Sequence, residues 1–263
     1  MDQSPGTAAS AWSAGMGQAV GMSPDADPVP GVHVAFICAM PMELEPLVRK
    51  LDLRESLVGE LTVHTGTLHD RPVVAIVTGM GTELATSGAS RLLDGMAVDR
   101  VLVVGITGAV ENETPIGTLV LPEVVVNAAT GEAYRPTPLG EGTTSGTMWT
   151  TDVLITDLDH IAGLRARGVV SLDMETAAIA ALCEARGIPW SVFRVISDRA
   201  TDGSVDQEVF ELSNMDGSPN TEAIERYFAE HPERVESMAR LAEGALLGAE
   251  AAADAAIAAC AWA

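Results

Sequence analysis

Alternating strand-like runs and helix-like segments predict an α/β fold built on a largely parallel sheet. Three observations carry the prediction. Short apolar runs recur at residues 33–39, 73–78, 101–104 and 191–196. Helical spacing separates several of them, as with Leu44, Leu47, Val48 and Leu51 after the first run. Hydrophobic residues make up 47% of the 263-residue chain and aromatics only 4%, so a full core is available, made mostly of Ala, Val, Leu and Ile.

In chain order, residues 33–39 form the first strand. Met40-Pro41-Met42-Glu43 follows and opens a helix. Pro41 suits the first helical turn, where its missing N–H costs nothing. Residues 73–78 form a second strand, which ends in Gly79-Met80-Gly81 and leads into a helix through about Asp94. Residues 101–104 form a third, closing in a turn at Gly105-Ile106-Thr107-Gly108. Both glycine turns read as backbone that offers N–H groups to a ligand. Residues 119–126 are a fourth strand candidate. Residues 127–147, rich in Gly, Thr and Pro, read as loop, and 148–155 as a further strand. Residues 169–172 lead into a helix from about Met174 to Arg186. Residues 191–196 are a buried strand ending in Ser197-Asp198, and a polar loop runs on to about Thr221. From about Pro232 the chain reads as one long Ala-rich helix. Residues 1–30 contain no Lys or Arg and read as a mobile tail, leaving 31–263 as a single α/β domain. No internal repeat is visible.

Fifteen Lys and Arg against 37 Asp and Glu give a net charge of −22. Such a chain lacks the cations that nucleic-acid phosphates or anionic membrane surfaces require. Three widely spaced cysteines, Cys38, Cys183 and Cys260, argue against a disulfide framework or a zinc site. The five histidines show no metal-ligand spacing, so no metal is expected. No positive start or continuous apolar stretch marks the N-terminal segment as a secretory signal, and a cytoplasmic location is expected.

In open α/β sheets the ligand lies at the carboxyl ends of the strands. That rule selects Met40 and Glu43, Thr78 to Gly81, Gly105 to Gly108, Met174 and Glu175, and Ser197 and Asp198. Three of these are acids. Any one acid at a strand end is more simply a helix cap or a solvated loop residue, but three converging on one sheet edge suit acid/base chemistry. Glu43 lies at a helix start, where the dipole favours its charged, basic form. Asp198 ends an apolar strand, where burial favours a proton donor. Gly79-Met80-Gly81 lacks the third glycine of a dinucleotide fingerprint, since Leu84 stands there.

Several of these segments together resemble a known family. Ala39-Met40-Pro41-Met42-Glu43 resembles the opening motif of the methylthioadenosine/S-adenosylhomocysteine nucleosidases, within the wider nucleoside phosphorylase superfamily. Asp173-Met174-Glu175-Thr176-Ala177-Ala178-Ile179-Ala180 resembles its E-M-E-x-x-A-x-A segment, and Arg194-Val195-Ile196-Ser197-Asp198 its R-x-I-S-D segment. The pieces at 78–81, 105–108 and 117–122 match in order. The resemblance spans about residues 32–202. It implies a three-layer α/β/α sandwich with a central mixed, largely parallel sheet, and a homodimer acting on a small-molecule nucleoside with no cofactor.

Roles follow position by position. The resemblance implies that Asp198 protonates the purine at N7, with Ser197 supporting it. It implies that Glu43 activates water, with Arg194 and Thr78 helping to fix it. Glu175 would hold the ribose hydroxyls and Met174 would pack on the sugar. Met40, Gly79, Gly105 and Asp173 complete the implied substrate site. Departures are visible. Asp173 replaces the first Glu of E-M-E. Thr150-Thr151-Asp152-Val153-Leu154 stands where the family has an S-G-D turn followed by an aromatic, so Leu154 takes the aromatic's place. The segment 127–171 is shorter than its family counterpart, which holds an additional helix. Phosphorylase relatives carry an arginine two positions before the third-strand glycine turn, where this chain has Val103, and the G-D-P-x-R opening is absent. Both differences favour hydrolysis. The alternatives are phosphorolysis, or a non-catalytic nucleoside-binding protein.

Overall fold

The computed structural model describes residues 31–262. The expected tail at 1–30 lies outside the described residues. Strand β1 (Val32–Cys38) leads into helix α1 (Pro41–Leu51). The hairpin β2 (Arg54–Val58) and β3 (Leu61–Leu68) follows, then β4 (Arg71–Val77), α2 (Thr82–Gly95) and β5 (Val98–Ala109). Next come β6 (Leu119–Val120), β7 (Val124–Asn127), β8 (Ala133–Tyr134), β9 (Thr147–Thr150), α3 (Leu158–Ala166), β10 (Val169–Asp173), α4 (Thr176–Arg186) and β11 (Trp190–Arg199). Helices α5 (Gln207–Phe210), α6 (Thr221–Glu230) and α7 (Val235–Ala259) close the described chain.

One mixed sheet runs in the order β2-β3-β4-β1-β5-β10-β9-β7-β8, with β11 alongside β5 and β6 on β11. The pairs β1/β4, β1/β5, β5/β11, β9/β10 and β7/β9 are parallel, as the crossover helices require. The hairpin pairs β2/β3, β3/β4 and β7/β8 are antiparallel, as are β5/β10 and β6/β11.

Both faces of the sheet are covered, which is why its central strands read as unbroken apolar runs rather than alternating ones. Side chains still alternate between layers. Ala35, Ile37, Val74, Ile76, Val101 and Val103 pack with α2 and α4 through Ala89, Leu92, Ala177 and Ala180. Val34, Phe36, Val73, Ala75, Leu102 and Val104 pack with α1 and α7 through Leu47, Ala252, Ala253 and Ala256. The three layers are those the family resemblance implies. The small side chains of α7 let its backbone lie close to β5 and β11: a methyl group on Gly248 would stand 3.1 Å from Ile106 Cγ2. Cys38, Cys183 and Cys260 are free and buried. Among the described residues no helix is long and apolar enough to cross a membrane.

Several boundaries differ from the sequence reading. The third strand is not four residues closed by a turn: β5 runs on through Gly105-Ile106-Thr107-Gly108, because β11 pairs with it to Ala109. Likewise β11 carries Ser197 and Asp198 within the strand rather than beyond it. The expected strand at 119–126 divides at Pro122, and its halves pair with different neighbours, β6 with β11 and β7 with β9. A proline has no N–H to give a ladder. Strand β8 lies inside the expected loop 127–147, and the strand expected at 148–155 ends at Thr150. Residues 54–68, unassigned in the sequence reading, form the β2–β3 hairpin. Helices α3 and α6 fall in stretches where the sequence pattern predicts none, yet each has a cap in the sequence: Asp157 accepts from His160 N and Asn220 from Ala223 N.

Candidate active site

The fold brings Glu43, Glu175, Arg194 and Asp198 to one cavity of about 180 Å³. Glu43 sits in the first turn of α1. Its carboxylate turns back over the helix start, where Oε2 accepts from Ala39 N at 2.8 Å and Met40 N at 3.0 Å. Its Oε1 accepts from Ile106 N at 2.8 Å and from Arg194 Nη1 at 3.3 Å. The residue is 0% exposed. Such an anchored carboxylate is possible only because Gly105 has no side chain. A Cβ there would fall 2.0 Å from Glu43 Oε1 and 2.8 Å from Arg194 Nη1. Gly105→Ala is therefore expected to displace both groups, lowering stability by about 1–3 kcal/mol and turnover far more than binding. Thermal melting and steady-state kinetics check this.

Arg194 lies opposite Gly105 in the β5/β11 register. Its Nη1 donates to Ile106 O at 3.0 Å as well as to Glu43. Its Nη2 donates to Glu175 Oε2 at 2.9 Å and to Asp173 Oδ2 at 3.1 Å. One guanidinium thus serves three carboxylates, all buried. Burial opposes its charge, but Asp173, Glu43 and Glu175 outweigh that and hold Arg194 above the ordinary arginine range. Burial pushes the Glu175 carboxyl up to about 7, against the pull of Arg194. Its Oε1 accepts from Gly81 N at 2.9 Å. With three acids sharing one cation, Glu175 is thus shifted toward its protonated form.

Asp198 stands apart from that cluster, beside Gly108 in the ladder. A Cβ on Gly108 would lie 3.1 Å from its Oδ2. Ser197 Oγ donates to Asp198 Oδ1 at 2.6 Å. Burial raises the Asp198 carboxyl above the usual range, opposed by the Ser197 hydrogen bond. The direction is the one its place on an apolar strand predicts.

Met40, Leu154, Asp173, Met174 and Ser197 also line the cavity, whereas Thr78, Gly79 and Gly105 do not. Thr78 Oγ1 is turned to backbone carbonyls, Cys38 O at 3.3 Å and Gly79 O at 3.0 Å. The glycine turns do not offer free N–H groups to a ligand either. Gly79 N donates to Ala39 O, Met80 N to Met215 O, Gly81 N to Glu175 and Ile106 N to Glu43. They organise the acids instead. Asp173 spends both oxygens on protein donors: Thr150 Oγ1 at 2.6 Å, Thr176 N at 2.8 Å, Thr176 Oγ1 and Arg194.

Met80, Ile106, Val205 and Phe210 complete the apolar walls. Met80 and Ile106 fall within the glycine segments that the strand-end rule selects, whereas Val205 and Phe210 do not. Phe210 lies in what reads as a polar loop. It is one of four phenylalanines and sits four residues after Asp206, whose side chain caps α5 by accepting from Val209 N, so a cap followed by an aromatic marked it. Among the described residues no group of three or more His, Cys, Asp and Glu side chains is placed to hold a metal ion.

Comparison with known proteins agrees with the fold. A family model described as the phosphorylase superfamily matches residues 33–143 and 137–230. The chain is 29% identical over 198 residues to the 5′-methylthioadenosine/S-adenosylhomocysteine nucleosidase of Chromohalobacter salexigens, covering 64% of this chain and 84% of that protein. It is 26% identical over 229 residues to the enzyme of the same name from Actinobacillus succinogenes, covering 76% and 99%. Among solved structures, the nucleosidase of Neisseria meningitidis in complex with methylthio-immucillin-A superposes with a TM-score of 0.66 at 18% identity, over 87% of this chain and 98% of that one. The futalosine hydrolase of Helicobacter pylori superposes with a TM-score of 0.65 at 16% identity, over 88% and 97%. At these identities the structural likeness is one of fold.

Proposed function

We propose, on the premise that this chain belongs to the phosphorylase superfamily, that it hydrolyses the N-glycosidic bond of a purine nucleoside. The observation that carries this is the state of Arg194. It is the one cation among the described residues lining the cavity, and it is consumed by Glu43, Asp173 and Glu175. A phosphate nucleophile would enter a site already rich in carboxylates with no free cation to meet it. Water meets no such barrier. The relatives named as nucleosidases make methylthioadenosine and adenosylhomocysteine the first substrates to try.

Cleavage passes through an oxocarbenium-like state, which carboxylates beside the sugar stabilise. Asp198, whose carboxyl burial shifts toward its protonated form, donates a proton or hydrogen bond to the departing purine at N7. Glu43 takes the proton of the attacking water. Its contact with Arg194, at 3.3 Å the longest of its four, is the one it gives up most easily. Glu175 faces the ribose hydroxyls, with Met174 against the sugar. Leu154 and Phe210 offer apolar walls to the rest of the nucleoside. The exposed Val153 and Leu158, at 69% and 61%, lie on and just beyond the segment lining the cavity and fit a homodimer interface there. Three free, buried thiols fit a reducing, cytoplasmic setting.

The test is to incubate pure protein, without phosphate, with methylthioadenosine, adenosylhomocysteine, futalosine, adenosine and inosine, and to follow free base. Release without phosphate is the expected result. Strict phosphate dependence with a ribose 1-phosphate product would replace hydrolysis by phosphorolysis. Thermal stabilisation by a nucleoside with no turnover would leave a binding protein.

A further inference from the structure

The guanidinium of Arg194 has no partner for its Nε among the described residues, although the atom is buried. Its orientation therefore rests on its two ends. Nη1 is fixed by Ile106 O and by Glu43, and Nη2 by Glu175 and Asp173. Glu43 and Glu175 face the cavity and have chemistry to do there. Asp173 is the acid of the three held by side-chain hydroxyls as well as by Arg194, those of Thr150 and Thr176, and no step of the reaction falls to it, so it serves as the anchor of the fork.

What fixes Asp173 is partly Thr150. The two residues are opposite one another in the β9/β10 register. Thr150 is 1% exposed, and its hydroxyl donates to Asp173 Oδ1 at 2.6 Å while accepting from Ala177 N of α4 at 3.1 Å. Thr176 N and Thr176 Oγ1 serve the other oxygen, Oδ2. Thr150 is thus the side-chain donor to Oδ1. Without it a buried carboxylate oxygen loses its partner and the carboxylate is free to turn away from Arg194. Thr150 is also the last residue of β9, directly before the Thr151–Ile155 stretch that lines the cavity.

Building on the hydrolase reading above, we propose that Thr150 is a positioning residue: through Asp173 it holds the Arg194 fork between Glu43 and Glu175, and so ties the loop after β9 to the catalytic carboxylates. It does not touch the substrate. Its loss disturbs the group that takes the proton from water more than it disturbs nucleoside binding.

Thr150→Val keeps the shape and removes the hydroxyl. Its kcat is expected to fall about tenfold, with KM within about threefold of the parent. Thr150→Ser restores the hydroxyl and is expected to recover kcat to within about threefold. Because the effect runs through one carboxylate, adding Thr150→Val to Asp173→Asn is expected to lower kcat no further than Asp173→Asn does alone. A merely structural loosening of the loop would raise KM, would not be rescued by serine, and would multiply with Asp173→Asn. Any of these overturns the proposal, as does an unchanged kcat in Thr150→Val. If the valine variant does not fold, Thr150→Ala carries the same comparison. If the parent protein turns over no nucleoside, it is the hydrolase reading that fails. The relay is then decided by the crystal structure of Thr150→Val: a guanidinium displaced from Asp173 upholds it, and an unmoved one overturns it.

Discussion

Replacing Asp198 with Asn is expected to lower turnover by about 10²- to 10⁴-fold while leaving the melting temperature close to that of the parent. The asparagine keeps the size of the side chain and still accepts from Ser197 Oγ, so the β5/β11 ladder beside Gly108 has no reason to move. What it lacks is a transferable proton. Burial shifts the carboxyl toward its protonated form, the form that can give a proton to a leaving purine. An amide donates a hydrogen bond but cannot release a proton to the base. The loss should therefore appear in kcat, with KM little changed, and should be smallest for substrates whose base is already a good leaving group. Steady-state kinetics on two nucleosides of different leaving ability checks both statements. Turnover near that of the parent would remove Asp198 from the chemistry.

Replacing Arg194 with Met is expected to cost about 3–5 kcal/mol of stability, a fall of roughly 10 °C in the melting midpoint. The thioether fills much of the space but leaves Glu43, Asp173 and Glu175 buried without their shared counter-charge. Activity should be lost with it, because all three of those acids line the cavity. The loss depends on pH in a direction the site dictates. A buried acid whose folded value lies above its unfolded one takes up a proton on folding. Its stabilising share is complete below the unfolded value and disappears as pH rises through the folded value. In the parent, Glu175 follows this course between the ordinary 4.5 and about 7. Arg194 pulls that value down, so removing it raises the value further and widens the window. The deficit of Arg194→Met relative to the parent should thus be smaller at pH 5 than at pH 8. Denaturant melts at the two pH values measure it, and a deficit independent of pH would mean that the three acids are not held by this arginine.

The charged residues gathered at the cavity are mostly legible in the sequence, and the backbone that holds them is less so. Glu43, Glu175, Arg194 and Asp198 stand in short segments with local order of their own: an acid in the first turn of a helix with proline at its start, an acid between a strand and a helix, and an arginine and aspartate on an apolar run. Local order is written in neighbouring residues. What Gly105 and Gly81 do is not local. Gly105 reads as a turn and is in fact an opening in a strand for a carboxylate 62 residues earlier; Gly81 gives its N–H to an acid 94 residues later. Phe210 stands in a segment that is polar overall, and its place in the cavity wall depends on where the loop after β11 is laid down.

The sequence by itself determined the layers of this protein. Burial of strands on both faces demands continuous apolar runs, and helices that cover them must show a repeating apolar stripe. Both patterns are periodic along the chain and need no knowledge of distant residues. The tertiary structure alone decided the electrostatics. Whether three acids repel one another, share a proton or share an arginine depends on separations such as the 2.9–3.3 Å from Arg194 to each acid, and the β1/β5, β5/β11 and β9/β10 registers bring those distant residues together. That is why four charged residues could be named from the chain, while the reason that Arg194 serves the acids instead of a phosphate appears only once the sheet is assembled.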